Sequence, residues 1–337
     1  MSRGGNVARD EMSHGGGMKC RVGGNVAWDE MSRGGNVAWD EMSRGMKCRV
    51  DEMSAPQKNL LSHPSFHWAG TDSIRFAMFP DEPHSQFTMI SQIGSGSFGK
   101  CFLCKRVPDG AHVVLKKVTI NDESKNEARL HSQISHENVV CTFESYLSHR
   151  SIYIVLEHMA GGNLHEHIKR HEEKPIDDME ILNLTAHMTA ALTHIHQLRI
   201  IHRDIKPRNV LLSADMKTAK LCDFGIAIKL PQGQRAKGRF GEAGTINYMA
   251  PEILEGREYD FKCDIWSLGC IVYELVVRKK AFPGCQELAV FHKICSGIIT
   301  YPLDSPSKLI GLIKKLLTAS EDARPSAPEV IALIEQC

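Results

Sequence analysis

The stretch "IIHRDIKPRNVLL", from Ile200 to Leu212, places three polar side chains in a loop between two apolar flanks. They are the carboxylate of Asp204, the ammonium of Lys206 and the amide of Asn209. At this spacing the three groups could orient a hydroxyl, neutralise a phosphate and hold a cation, which is the equipment for phosphoryl transfer. The prediction requires that the chain also supplies a phosphate-binding turn and a second metal ligand.

A glycine-rich turn lies upstream, in the segment "IGSGSFGKC" with Gly94, Gly96 and Gly99. Glycines at such a turn let backbone amides approach a polyphosphate closely. A dinucleotide-binding turn would be followed by a helix. Strand signals flank both sides here, so a hairpin that covers phosphates is favoured. Lys116 on the next strand is placed to reach the phosphates, whereas Lys117 points to the opposite face; a solvated surface lysine is the alternative for each.

Strand and helix signals predict two unlike lobes. From Phe87 to residue 157, segments such as "FTMISQIGSGSFGKCFLCKRV" and "SIYIVLEHM" indicate strands, with one helix-like stretch among them. After Gly161 and Gly162, the apolar spacing in "MEILNLTAHMTAALTHIHQL" and "CDIWSLGCIVYELVV" is typical of helices. We therefore expect an α+β fold with a small β-rich N-lobe (residues 87–157) that has one helix, and a larger helical C-lobe (residues 158–335).

Residues 1–53 are a low-complexity, glycine-rich segment in which "GGNVARDEMS" and close variants recur. Their short length and uneven spacing disfavour a solenoid and predict disorder. Residues 54–86 form an extension or linker before the folded part. One hypothesis is that Met53 is the original start of the protein. The idea that the repeats are an interaction tail has little support, because they lack charge runs and aromatic clusters.

Bulk composition excludes several classes of partner. With 337 residues, a formal net charge of +1 and a pI near 7.6, the chain has no field strong enough to predict binding to nucleic acid or a membrane surface. No apolar run approaches a membrane span, and the N-terminus lacks the apolar core of a signal peptide. We expect a cytoplasmic protein, with the nucleus left open as a second location, and cysteines that are reduced thiols.

Taken in chain order, the motifs resemble those of the eukaryotic protein kinase domain over about residues 87 to 335. "HRDIKPRN" is followed by "DFG" at residues 223–225 and "APE" at residues 250–252. The resemblance implies transfer of the γ-phosphate of ATP to protein substrates with Mg²⁺ as cofactor. The catalytic residues it implies are Asp204 as base or hydroxyl-orienting group, Lys206 at the γ-phosphate, Asn209, and the ion pair of Lys116 with Glu127.

The same resemblance implies the metal ligands and the nucleotide pocket. The metal ligands are Asn209 and Asp223. Leu156 is the gatekeeper, and the backbones of Glu157 and Met159 form the hinge beside adenine. The other nucleotide-binding positions are Ile93, Gly94, Gly96, Gly99, Cys101, Val114, Lys116 and Leu211. The same residues could also serve as ordinary core residues, and the two roles are compatible.

Two contacts in the C-lobe also follow from the resemblance. Glu252 is expected to form a buried ion pair with Arg324, and Asp264 is expected to anchor the backbone of the catalytic loop. Lys206 and Thr245 of "AGTINYMAPE" follow the pattern of serine/threonine kinases. The subfamily resemblance is closest to the NIMA-related kinases, through segments such as "SIYIVLEHMAGGNL" and "QELAVFHKICSG".

Substrate preference can be read from three positions. Kinases that select Arg upstream of the acceptor carry acids where this chain has Asn163 and Arg208, so we expect no Arg-directed preference. Arg208 favours an acidic neighbour instead. Ile226, after the DFG motif, is β-branched, which in similar kinases accompanies a preference for threonine over serine.

The chain departs from the family pattern near its regulatory helix. Only ten residues separate Lys116 from Glu127, so the helix that carries Glu127 is expected to be short. Two positions of the regulatory spine are polar, His131 and Thr142, above Phe224 and His202. Either the active helix position is marginally populated without a partner that binds this helix, or His131 and Thr142 hydrogen-bond each other. The alternative function is a pseudokinase or partner-dependent kinase that acts as a signalling scaffold.

The activation segment has an unusual composition. From Ile226 to Gly244 it contains no Ser, Thr or Tyr, so phosphorylation there is impossible. We expect Glu242 to provide a fixed negative charge opposite Arg203, in place of a phosphate.

Overall fold

The computed structural model describes residues 77–78, 86–96, 99–148, 150–238, 246–301 and 307–337. The predicted repeats, most of the predicted linker, and Glu242 and Thr245 lie outside these residues. Within the described ranges, no helix combines the length and apolar character needed to cross a membrane.

The N-lobe is organised around one six-stranded sheet. Its strands are β1 (Ala77–Met78), β2 (Phe87–Gly96), β3 (Gly99–Arg106), β4 (His112–Thr119), β5 (Thr142–Leu147) and β6 (Ser151–Glu157). Their order in space is β1-β5-β6-β4-β3-β2. Strand β1 runs parallel to β5, and the other neighbours are antiparallel. Strand β1 was not predicted, because a strand of two residues leaves no periodic signal in the sequence.

Helix α1 (Asp122–Ser132) follows β4 and carries Glu127 on its buried face. Its start is fixed by a capping box: Asn121 Oδ1 accepts the N–H of Ser124 at 2.7 Å, and Ser124 Oγ accepts the N–H of Asn121 at 3.0 Å. The helix is 11 residues long. The cap explains how a helix with so short a connection to β4 begins at a defined residue.

The C-lobe is mainly helical, as predicted. Its helices are α2 (Leu164–Arg170), α3 (Asp178–Gln197), α4 (Pro251–Leu254), α5 (Lys262–Val277), α6 (Glu287–Ser296), α7 (Ser307–Leu316) and α8 (Ala327–Ile334). Its short strands are β7 (Gly162–Asn163), β8 (Ile200–Ile201), β9 (Val210–Leu212), β10 (Ala219–Leu221) and β11 (Ile228–Lys229). The α+β, two-lobed fold class is confirmed.

Two small sheets position the polar loop of the opening stretch. Strand β8 pairs with β11 at the start of the loop, and β9 lies between β7 and β10 at its end. The main apolar core fills the C-lobe and extends to Leu130, Ile134 and Val139 at the lower end of the N-lobe. The C-terminal half of α1 therefore shares a core with the C-lobe, which couples its position to the catalytic loop.

Candidate active site

Asp264 of α5 holds the polar loop from below. Its Oδ2 accepts the backbone N–H of His202 at 2.9 Å, and its Oδ1 accepts that of Arg203 at 2.9 Å. His196 Nε2 donates to Asp264 Oδ2 at 2.9 Å. Arg203 has φ of 68°, a strained conformation for a residue with a side chain, and these bonds stabilise it. The predicted anchoring contact is confirmed, whereas His196 as a third partner was not predicted.

Asp204, Lys206 and Asn209 meet around one carboxylate. Asp204 Oδ2 accepts a hydrogen bond from Lys206 Nζ at 2.7 Å and one from Asn209 Nδ2 at 2.8 Å. The second oxygen, Oδ1, is buried and has no hydrogen-bond partner among the residues that the structure describes. Burial raises the pKa of Asp204, and Lys206 opposes the rise. One oxygen is thus fixed by two donors, and the other is available to a hydroxyl group.

Lys116 lies between two carboxylates. Its Nζ is 2.5 Å from Glu127 Oε1 and 2.9 Å from Asp223 Oδ1. Burial by itself would lower the pKa of Lys116, but Asp223 and Glu127 raise it, so the ammonium stays charged. Lys117 points to the other face of β4, where its Nζ lies 5.2 Å from the centroid of the Tyr153 ring. The predicted alternation and the predicted Lys116–Glu127 pair are confirmed.

Asp223 and Asn209 offer oxygen ligands to the same cleft. Asp223 has φ of 67°. Burial favours its neutral form, but Lys116, His202 and Lys206 together outweigh burial and lower the pKa of Asp223, so the carboxylate is ionised at neutral pH. Because the Asn209 amide nitrogen faces Asp204, its amide oxygen is the group left for a cation. A carboxylate and an amide oxygen are the hard ligands that fit Mg²⁺.

The cleft between the lobes has a volume of about 460 Å³. Every predicted nucleotide-binding position lies on its wall, namely Ile93, Gly94, Gly96, Gly99, Cys101, Val114, Lys116, Leu156, Glu157, Met159 and Leu211. Gly99 has φ of 106°, and a Cβ there would lie 2.3 Å from the carbonyl oxygen of Lys117. Position 99 therefore requires glycine, because the start of β3 passes close to the backbone of β4 there. Burial raises the pKa of the Cys101 thiol, so it packs as an uncharged group.

Glu157 connects the two lobes through its side chain, a role that the sequence did not reveal. Its carboxylate accepts hydrogen bonds from Lys220 Nζ at 2.8 and 2.9 Å, and from the backbone N–H of Cys141 at 3.1 Å. Its own backbone N–H donates to the carbonyl of Cys141 at 2.9 Å. That N–H is therefore not a donor for a nucleotide. Lys220 gives no signal in the sequence, since it is one polar residue in a short strand.

The model of the protein kinase domain family matches residues 87–333. The chain belongs to the protein kinase family. It is 36% identical to serine/threonine-protein kinase Nek5 of Mus musculus over 249 residues, which are 73% of this chain and 39% of that protein. It is 34% identical to serine/threonine-protein kinase Nek8 of Danio rerio, over 71% of this chain and 35% of that protein.

A third relative, serine/threonine-protein kinase Nek3 of Mus musculus, is 36% identical over 73% of this chain and 48% of that protein. The chain thus spans less than half the length of these three relatives. Its kinase domain is of the NIMA-related serine/threonine type, as the sequence motifs predict. The family implies ATP as the phosphate donor.

Three side chains of the regulatory spine, His131, Phe224 and His202, stack in a row. The Phe224 ring lies 4.8 Å from His131 and 4.7 Å from His202, measured between centroids. His131 Nε2 donates to the carbonyl of Val140 at 2.8 Å, whereas the buried Thr142 Oγ1 has no partner in the described part of the chain. The predicted alternative of a His131–Thr142 hydrogen bond is therefore wrong, because the backbone carbonyl of Val140 accepts the hydrogen bond of the His131 ring. Burial lowers the pKa of His131 to about 4, so its ring is neutral.

The described part of the activation segment is tied to the C-lobe. Ala236 and Tyr259 exchange two backbone hydrogen bonds of 2.9 Å. Arg235 forms an ion pair with Glu321 and a second one with Asp260 at 3.2 Å. These contacts were not predicted from the sequence. The predicted contact of Glu242 with Arg203 lies outside the described residues.

The buried ion pair of the large lobe is present. Arg324 donates to the two carboxylate oxygens of Glu252 at 2.7 and 3.0 Å, and both side chains are 0% exposed. The prediction from the APE motif is confirmed. The pair joins α4, which follows the activation segment, to the loop before α8.

Proposed function

We propose that this chain is an active serine/threonine protein kinase that transfers the γ-phosphate of ATP to hydroxyl groups of protein substrates. The observation that carries the proposal is the asymmetric carboxylate of Asp204. Lys206 and Asn209 hold Oδ2 at 2.7 and 2.8 Å, while the buried Oδ1 has no partner among the described residues. A buried oxygen of this kind costs free energy unless a ligand pairs with it.

The residues of the chain then divide the work of the transfer. Asp204 Oδ1 accepts the hydrogen bond of the substrate hydroxyl and orients its oxygen towards the γ-phosphate. Lys206 is adjacent and neutralises negative charge on the transferred group. Lys116, fixed by Glu127, holds the phosphates of ATP below the glycine turn. The fixed positions of these groups reduce the entropic cost of bringing the reactants together.

Asp223 and Asn209 are the residues that would hold Mg²⁺. Their oxygens fit this cation, and the ionised state of Asp223 supports the assignment. When bound, Mg²⁺ neutralises charge on the phosphate oxygens during the transfer.

Three side chains support the proposed choice of substrate. The Asn163 side chain accepts the N–H of Glu166 at 3.0 Å and caps α2. Because it is an amide, it offers no carboxylate to an arginine of the substrate. Arg208 is exposed on the rim of the cleft. We therefore propose a kinase that is not directed by arginine. Ile226 supports a preference for threonine over serine.

A dependence on an activating partner at α1 is a second proposal. It is favoured by one observation, the buried and unpaired Thr142 Oγ1 at the upper end of the spine. A spine with polar side chains packs less favourably than a spine with apolar side chains. A partner that packs on α1 would add contacts and so raise the population of the active helix position.

The test is phosphate transfer by the full chain to threonine and serine peptides with ATP and Mg²⁺, beside the variant Asp204→Asn. We expect the variant to lose transfer by about 10²- to 10⁴-fold, because it removes the group that orients the hydroxyl. Asp178→Asn is the matched control, since Asp178 is an exposed carboxylate on α3. Binding of ATP by the wild type without transfer, also after addition of a lysate that contains partners, would favour the pseudokinase scaffold.

A further inference from the structure

Four basic side chains lie close to one another beside the catalytic loop, and we name them the basic rim; of the four, Arg208 lines the cleft. Its members are His165 and Lys169 of α2, Arg208 beside Asn209, and Lys280 after α5. Lys169, Arg208 and Lys280 are exposed, and His165 is half-buried. None of them has a task in the phosphoryl transfer described above.

The fold brings these four residues together from three separate segments. Arg208 lies in the 3-10 turn Pro207–Asn209, and α2 packs against this turn. His165 and Lys169 are four residues apart on α2, so they lie on one face of the helix. Lys280 is oriented by its Nζ, which donates to Asn247 Oδ1 at 3.1 Å.

The charges of the rim act on each other, and Glu166 offsets them only in part at His165. Burial lowers the pKa of His165 first, and the positive charges of Arg208, Lys169 and Lys280 lower it further, against the opposing effect of Glu166. In the part of the chain that is described, the Arg208 guanidinium has no hydrogen-bond or ion-pair partner.

A buried acid, Glu274, lies near one member of the rim: burial raises its pKa, and Tyr248 and Lys280 oppose the rise. Glu274 is 5% exposed, and its Oε2 accepts the hydroxyl of Tyr248 at 2.6 Å. It is therefore engaged inside the lobe and presents no carboxylate to a substrate. The surface beside the catalytic loop remains positively charged, although the chain as a whole carries a net charge of only +1.

We propose that the basic rim binds an anionic side chain of the protein substrate, a carboxylate or a phosphorylated residue, near the acceptor hydroxyl. The inference rests on the proposed function, because it names the substrate class of that same site. Arg208 is adjacent in sequence to Asn209 and lines the same cleft as Asp223. A polypeptide that presents a hydroxyl to Asp204 must pass the guanidinium, which suits the paired oxygens of carboxylate or phosphate.

The experiment uses the full chain and a threonine peptide with neutral flanks. A single Glu, Gln, phosphoserine or Arg is placed at each neighbouring position in turn, and kcat/KM and peptide Kd are both measured. We expect Glu to exceed Gln by about 5-fold at one or more positions, the size of a good exposed ion pair. Phosphoserine, with about twice the charge, is expected to exceed Glu, and Arg to fall below Gln.

Variants of the rim decide whether Arg208 causes the preference. Arg208→Gln is expected to reduce the Glu/Gln ratio to about 2 or less, and Arg208→Glu to invert it in favour of Arg peptides, because one exposed pair carries most of the effect. Lys315→Gln, an equal loss of charge at an exposed position of α7, is the matched control and should keep the wild-type ratio.

The outcomes separate this inference from the proposed function. Equal kcat/KM and Kd for Glu and Gln peptides, or an unchanged ratio in both Arg208 variants, would overturn the role of the rim while transfer continues. If the wild type transfers no phosphate to any peptide, the proposed function fails. The Kd values then still decide whether the rim selects anionic peptides.

Discussion

Two buried polar clusters of the kinase domain differ in how completely they are paired. In the C-lobe, Arg324 uses its guanidinium on Glu252 and on three backbone carbonyls, those of Lys262, Thr318 and Ala319. At the top of the spine, His131 has one bond to a backbone carbonyl, and Thr142 Oγ1 has no partner among the described residues. The first cluster is closed, and the second is incomplete.

This difference indicates which part of the active site can move. The catalytic loop rests on Asp264, whose two oxygens accept the backbone N–H groups of His202 and Arg203, so the start of the loop is fixed. Helix α1 carries Glu127 but rests on a spine that is polar at its upper end. A shift of α1 would break the Lys116–Glu127 pair, whereas the hydrogen bonds of Asp264 would still hold the start of the catalytic loop. The N-lobe is therefore where a partner or substitution can change the population of the active state.

The largest effect is expected for Arg324→Gln. The substitution leaves the Glu252 carboxylate buried without a compensating charge, which should lower the free energy of unfolding by about 3 to 5 kcal/mol. Urea denaturation of the full chain measures this. Arg257→Gln is the control, because its pair with Glu255 is exposed and should contribute less than about 1 kcal/mol.

A double substitution sharpens the same test. Glu252→Leu combined with Arg324→Met removes both charges, so it should cost less than Arg324→Gln alone. If the double variant is as unstable as the single one, the loss comes from packing and backbone contacts rather than from the unpaired carboxylate, and the contrast between the two clusters is weakened.

The second effect concerns His131 and acid. Its pKa is about 4 in the folded state, against an ordinary value of 6.5. Between these values the unfolded chain binds more protons, so the free energy of unfolding falls as the pH falls from 6.5 to 4. The gap corresponds to about 3 kcal/mol. His131→Leu should remove this acid-dependent loss.

Urea denaturation at several pH values measures the effect, and His292→Gln, at an exposed histidine, is the control. The same variant tests the spine. If the polar spine limits activity, His131→Leu should also raise kcat at neutral pH. If His131→Leu changes neither kcat nor the pH dependence of the free energy of unfolding, the polar spine is no weaker than the paired cluster around Arg324.

Contacts of motif residues were predicted from the sequence, including that of Asp264 with the backbone of the catalytic loop, whereas contacts of residues outside the motifs were not. The pairs of Lys116 with Glu127 and of Glu252 with Arg324 follow from the resemblance to the kinase family, which implies the partner of each motif residue. The bond of His131 to the Val140 carbonyl could not be predicted, because any backbone carbonyl of a neighbouring strand is an equal candidate until the fold selects one. The pair of Glu157 with Lys220 was missed because Lys220 is an isolated polar residue in a short strand.

A smaller effect of the opposite sign is expected for Thr142→Val. The substitution keeps the shape of the side chain but removes a buried hydroxyl without a partner. It should therefore stabilise the domain by about 1 kcal/mol. Thermal unfolding measures this change. Thr318→Val is the control, because Thr318 Oγ1 donates to the carbonyl of Lys315 at 2.8 Å and its loss should not stabilise. A destabilised Thr142→Val variant would mean that the spine is complete as it stands.

The smallest effect on stability, but an informative one, is expected for Arg235→Gln. Arg235 is 37% exposed, so its ion pairs with Asp260 and Glu321 should contribute less than about 1 kcal/mol to unfolding. Their effect on the activation segment itself should be larger. These ion pairs and the backbone hydrogen bonds between Ala236 and Tyr259 hold a segment that has no Ser, Thr or Tyr to phosphorylate. We expect faster proteolysis within the activation segment and a lower kcat, with Arg235→Lys intermediate. If proteolysis and kcat stay at the wild-type level, the activation segment is held by other residues, and the C-lobe is rigid for reasons beyond its paired charges.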